Sequence, residues 1–116
     1  MYAVVRRIKM HSIGEAARRA ADGLGPVFKQ SPGFVAYHVV QFGEDSGGSV
    51  TLFETRAAAE EANQKALTWI RENLADLADG EPEVLQGEVL ASVLGASAGT
   101  GEATSGLISV GFSAPR

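Results

Sequence analysis

Phe34–Phe42 reads FVAYHVVQF, and Ser49–Phe53 reads SVTLF, with the polar, glycine-bearing stretch GEDSGG (residues 43–48) between them. β-Branched and aromatic residues fill both runs. Their branched or flat side chains suit a pleated, half-buried surface better than a helix. Two such runs joined by a short glycine-containing loop predict a β-hairpin.

On the N-terminal side, Tyr2–Met10 (YAVVRRIKM) has the length and the Val/Ile content of a strand. Ser12 followed by Glu15 has capping-box spacing and predicts a helix start. Ile13, Ala16, Ala17, Ala20, Leu24 and Phe28 then recur at helical spacing. Pro26 lacks a backbone donor, so a break or kink is expected near Gly25-Pro26, and Pro32-Gly33 supplies turn chemistry. On the C-terminal side, Thr55 suits an N-cap for a second helix reaching about Leu77. Ala59, Ala66, Ile70 and Leu77 fall on one line of that helix at 100° per residue, with Asn63 about 40° to one side and Trp69 about 80° to the other. Gly80 and Pro82 stop it, and Val84–Val93 (VLQGEVLASV) predicts a fourth strand.

The order is therefore β, α, β, β, α, β, an α+β ferredoxin-like arrangement with a four-stranded antiparallel sheet and both helices on one face. Both strand parities are largely apolar. Phe34, Ala36 and Val40 oppose Val35, Tyr37 and Val39, while Val4 and Ile8 oppose Ala3 and Val5. A sheet with helices on one side only would alternate polar and apolar more cleanly. A second copy of the chain is the economical cover for the other face, so a homodimer is expected. Residues 94–116 begin with a Gly/Ala/Ser/Thr-rich stretch of linker character. Residues 107–112 (LISVGF) alternate briefly, as a short edge strand would, so the folded domain is expected over residues 1–93.

Composition narrows the function classes. The 116-residue chain has a formal net charge of −4 and no cysteine. Arginine pairs occur only at Arg6-Arg7 and Arg18-Arg19. That is no dense basic face for nucleic acid or an anionic membrane, and thiolate metal sites and disulfides are excluded. No apolar run is long enough for a membrane span, and no hydrophobic leader is evident in the first ten residues, so a cytoplasmic location is expected. Two histidines without metal-ligand spacing predict no metal.

The phrases SPGFVAYHVV (Ser31–Val40), TLFETRAAAEEAN (Thr51–Asn63) and GEVLAS (Gly87–Ser92), in this order of elements, resemble the antibiotic biosynthesis monooxygenase-like dimeric α+β barrel proteins. The resemblance covers roughly residues 1–93. It implies a barrel of two sheets across a homodimer and a cavity between sheet and helices that holds a small hydrophobic or aromatic ligand. It further implies a cofactor-independent monooxygenase acting on a small aromatic or quinol-type compound. The alternative is a non-catalytic dimer that binds a small ligand, for example in a stress response. Haem-degrading relatives carry a histidine on or after the second helix, and this chain has none there.

Cofactor-free oxygenation requires a base or a cationic donor in a dry cavity. Imidazole suits the role of base because it titrates near neutrality, so His38 is the candidate, or else it is a hydrogen-bonded histidine near the dimer interface. Arg6 and Arg7 are adjacent on a strand, so one of them faces a buried surface. There it either stabilises an anion or pairs with Glu54 or Glu88. Asn63, inward on the second helix, would orient a substrate hydroxyl or tie helix to sheet. Tyr37, Trp69 and Phe53 complete the candidates, as substrate contacts.

Overall fold

A computed structural model describes residues 1–95. Its elements are β1 (Tyr2–Lys9), α1 (Ile13–Lys29), β2 (Phe34–Gly43), β3 (Ser46–Phe53), α2 (Arg56–Asn73) and β4 (Glu83–Glu88). The sheet order is β2-β3-β1-β4, antiparallel throughout. This is the expected ferredoxin-like α+β arrangement. The proposed linker beyond Gly95 and the strand at 107–112 lie outside the described residues.

Alternation in β1 decides which face meets the helices. Tyr2, Val4, Arg6 and Ile8 are buried; Ala3 and Val5 are half-buried, and Arg7 and Lys9 are exposed. Residues two apart share a face of a strand, so the first set lies under α1 and α2. The core between the layers joins Val4 and Phe53 of the sheet to Leu24 and Phe28 of α1 and to Ala59 and Ala66 of α2. Phe28 is fully buried. Its ring packs edge-on to Tyr37 at 4.7 Å and to Phe53 at 6.1 Å, and stacks on Phe34 at 6.2 Å. Alanines along the inner side of α2 let that helix lie close to the sheet. Trp69 fits between the helices, where its indole occupies the space that any side chain at Gly23 would need.

Several local expectations change. Ser12 is the N-cap of α1 but adopts a left-handed conformation (φ 54°) and makes no side-chain cap bond. Glu15 instead accepts from Arg19 Nε at 2.9 Å, so the capping box does not form. Pro26 does not interrupt α1, which runs unbroken to Lys29. Only the backbone bond that its missing N–H would have donated is lost. Thr55 does cap α2, accepting from Ala58 N at 3.1 Å, but the helix ends at Asn73, and Leu74–Leu77 continue as turns. β4 stops at Glu88, leaving Leu90 and Val93 exposed.

The hairpin is tighter than its glycines imply. β2 and β3 turn at Glu44-Asp45, and Gly47 and Gly48 belong to β3. Gly48 sits opposite Arg7, in a position where a Cβ would overlap the Arg6 carbonyl oxygen. The glycine there permits two backbones to approach, which is a packing requirement rather than a loop signal.

A bulge between Phe34 and Ala36 shifts the pairing register of β2. Phe34 opposes Phe53, Tyr37 opposes Thr51 and Val39 opposes Ser49. Beyond the bulge, parity is therefore reversed: Tyr37 and Val39 join Phe34 on the helix side, and His38, opposite Val50, turns to the other face.

Candidate functional site

Arg6 is the unusual residue of the core: it is 1% exposed, in the middle of the central strand. Its guanidinium donates to three neutral oxygens, Asn63 Oδ1 on α2 at 2.7 Å, Thr51 Oγ1 at 2.9 Å and Ser49 Oγ at 3.2 Å, the last two on β3. From the α1 side, the Phe28 ring lies 5.5 Å from the guanidinium carbon, in cation–π range. The expected ion pair with Glu54 or Glu88 is not made. Among the described residues Arg6 meets no carboxylate. Glu83 pairs with Arg7 at 2.6 Å on the exposed face, and Glu88 lies 3.7 Å from the terminal amine. Burial pulls Arg6 down from its ordinary pKa to about 10, with the nearby Tyr37 acting in the opposite direction. It is still a cation at neutral pH.

Beside Arg6 a cavity opens between α1 and the sheet. The cavity volume is about 40 Å³, and the empty space reaches about 440 Å³ when the open mouth is counted. The walls are mainly apolar: Ala16 and Ala20 from α1, Val39 from β2, Ile70 from α2. Gly47 keeps one wall clear, because a Cβ there would stand 3.2 Å from Met10 Sδ and 3.3 Å from Ile13 Cγ2. The polar side chains of the lining are Arg6, Ser49 and Tyr37. Burial pushes the Tyr37 phenol up to about 12, with the Arg6 cation partly offsetting it. Tyr37 is therefore a neutral hydroxyl at physiological pH. A spectrophotometric alkaline titration of the native protein should show a tyrosine ionising near pH 12, and Tyr37→Phe should remove that phase. A titration unchanged by the substitution would contradict this placement.

The structure brings together Arg6, Asn63 and Tyr37. Asn63, 9% exposed, acts through the Arg6 guanidinium rather than from the lining itself. The other sequence candidates lie elsewhere. His38 is exposed on the sheet face away from the helices, too far around the sheet to serve as a base in this cavity. Arg7 is exposed on that same face. Trp69 packs on Gly23 and lines a separate surface groove with Val27, Gln64 and Lys65, and Phe53 belongs to the aromatic core. The Ser49/Thr51 pair that holds Arg6 escaped the sequence reading. Its signal is two hydroxyl residues of the same parity in a strand flanked by glycine and aromatic positions.

Replacing Asn63 by leucine would leave a buried guanidinium N–H without its acceptor. We expect a loss of about 1–3 kcal/mol in urea unfolding, the usual cost of such an orphaned donor. An unchanged midpoint would mean that the Arg6–Asn63 bond contributes nothing net.

No group of three or more His, Cys, Asp or Glu side chains able to hold a metal gathers among the described residues, and no helix there is long and apolar enough to cross a membrane.

Comparison with known proteins places this architecture. No family model matches the sequence, and no curated protein matches it significantly. Solved structures do match. A protein of unknown function from Nitrosomonas europaea, NE2512, superimposes with a TM-score of 0.67 at 23% identity, covering 82% of this chain and 94% of that one. The ActVA-Orf6 monooxygenase of Streptomyces coelicolor, solved with nanaomycin D, gives a TM-score of 0.67 at 14% identity over 82% of this chain and 92% of the other. SnoaB, a cofactor-independent oxygenase from Streptomyces nogalater, gives 0.63 at 17% identity over 79% and 95%. The chain has the fold of the antibiotic biosynthesis monooxygenase structures. In this chain an arginine buried among neutral partners lies at the edge of a mainly apolar cavity.

Proposed function

We propose that this protein is a cofactor-independent monooxygenase-like protein acting on a small aromatic or quinol-type compound held in the cavity beside Arg6. The observation that carries the reading is a buried cation with no carboxylate partner among the described residues, facing a mainly apolar space. Such a cation stabilises negative charge on a ligand oxygen far more strongly than it would in water. The fold shared with oxygenases at low identity supports the same reading. In the balanced reaction a phenol and dioxygen give a quinone and water: one oxygen atom enters the ring, the other leaves in water, and the substrate supplies all the electrons. Arg6 stabilises the electron-rich phenolate that meets oxygen, Asn63 positions the guanidinium, and Tyr37 donates to a ligand oxygen. Oxygen-electrode measurements with mono- and bicyclic hydroxyaromatics are expected to show protein-dependent uptake that Arg6→Met reduces. If uptake never exceeds the buffer rate while the ligands bind, the protein is a small-ligand-binding module instead.

A homodimer through the outer sheet face belongs to the same proposal. Val5, Ala36, Val40, Val50 and Leu52 are only half-buried there, and Leu85 is 66% exposed. In this arrangement His38 sits in the subunit interface. Light scattering at micromolar concentration should give twice the chain mass, and a monomer would refute the dimer.

A further inference from the structure

We infer that the cavity takes its ligand as a ready-made anion, a planar hydroxyaromatic or enol already ionised at neutral pH, and does not deprotonate a neutral one. The inference rests on the cavity beside Arg6 being the ligand site and goes further, because it fixes the ionisation state and so the acidity of the substrate class. A wall able to remove a proton needs an acceptor, such as a carboxylate, an imidazole or a neutral amine. None occurs among the described residues of the lining. The two titratable groups there are Arg6, a cation, and Tyr37, a neutral phenol that holds its proton far above neutrality. The histidine that would have served lies across the sheet, put there by the β2 bulge.

Every element packed on Arg6 repeats the pattern. β3 presents Ser49 and Thr51, α2 presents Asn63, α1 presents Phe28, β2 presents Tyr37, and β4 places Val84 opposite it. No described carboxylate neutralises the guanidinium. Three of its five N–H groups are used by the protein, one each from Nε, Nη1 and Nη2. An anion that enters finds an uncompensated positive charge, whereas a neutral phenol finds one without a base to take its proton.

The test uses 4-nitrophenol, a single ring that is yellow only when ionised, with 4-nitroanisole as its permanently neutral counterpart, and the full chain in the absence of turnover. The colour change of the bound phenol should occur at least about one pH unit below that of the free phenol. Phenolate should then bind at least about tenfold more tightly than the anisole. Asn63→Asp provides a second arm, since it keeps the acceptor oxygen and shape but supplies Arg6 with an internal counter-charge. It is expected to weaken phenolate binding at least about tenfold, and by much more than it changes anisole binding. An unshifted colour change, equal binding of anisole and phenolate, no binding of either, or full phenolate affinity in Asn63→Asp would each overturn the inference. The oxygenase reading fails separately. Anion binding without oxygen uptake removes that reading alone, and uptake from a ligand that stays neutral removes this inference alone.

Discussion

Gly48→Ala is expected to unfold the protein or to lower its stability by about 3 kcal/mol or more, the upper end of what overpacking costs. The position looks harmless in sequence, the second of two glycines beside a turn. In the fold it is mid-strand, opposite Arg7, and a Cβ would occupy the space of the Arg6 carbonyl oxygen and stand 3.0 Å from Arg7 Cα. The obstacle is backbone, so no rotamer change relieves it, and β1 and β3 must separate. The damage would not stay at the strand pair, because Ser49 and Thr51 hold the guanidinium only while that register is kept. Circular dichroism and urea unfolding provide the check: wild-type stability in the alanine variant would show that the two strands separate without cost.

Phe28→Ala should cost about 3–5 kcal/mol, as expected for removing a large, fully buried aromatic ring. Small domains have only about 5–15 kcal/mol in total. Phe28 is the hub of the aromatic cluster, touching Phe34, Tyr37 and Phe53, and it covers the Arg6 guanidinium. Its loss therefore has a second consequence beyond stability. Water reaching the guanidinium would screen its charge, so the variant should show a smaller preference for anionic over neutral ligands. Phe28→Leu, which refills most of the volume but not the ring face, separates the two effects. It should recover most of the stability and not the preference. Recovery of both would show that the ring face is irrelevant to the charge.

The residues explain why the fold could be read more fully than the site. Strand β2 announces itself by its β-branched and aromatic content and α1 by an apolar stripe that repeats at the helical period, and the order of elements follows. Asn63 could be placed inward from helical geometry alone, since α2 is regular across that position. The two adjacent arginines were bound to split between faces, but only the packing of α1 and α2 on the Tyr2, Val4 and Ile8 side of β1 makes Arg6 the inner one. The face that His38 takes stayed open for a related reason. Alternation from Phe34 assigns it to the same side as the ring of Phe34. One extra residue at the bulge inverts that assignment, and nothing in SPGFVAYHVV marks where the extra residue falls. That no described carboxylate neutralises Arg6 also depends on tertiary contacts, as Glu54 and Glu88 were both available on paper.

The sheet order has a further consequence, for the order of assembly. β1 leaves the ribosome before the other strands of this sheet, yet both of its neighbours come much later: Tyr2 pairs with Phe53 and with Glu88. The β2–β3 hairpin can close at once through its two-residue turn, whereas the central strand must wait for nearly the whole domain. Pairings so distant in the chain slow folding, because loop closure must precede the contacts that reward it. Until then Val4 and Ile8 stay uncovered in the nascent chain, and Arg6 stays hydrated. The step that withdraws the arginine from water is therefore the same long-range closure that completes the sheet, and the cavity comes into existence only at the end of folding.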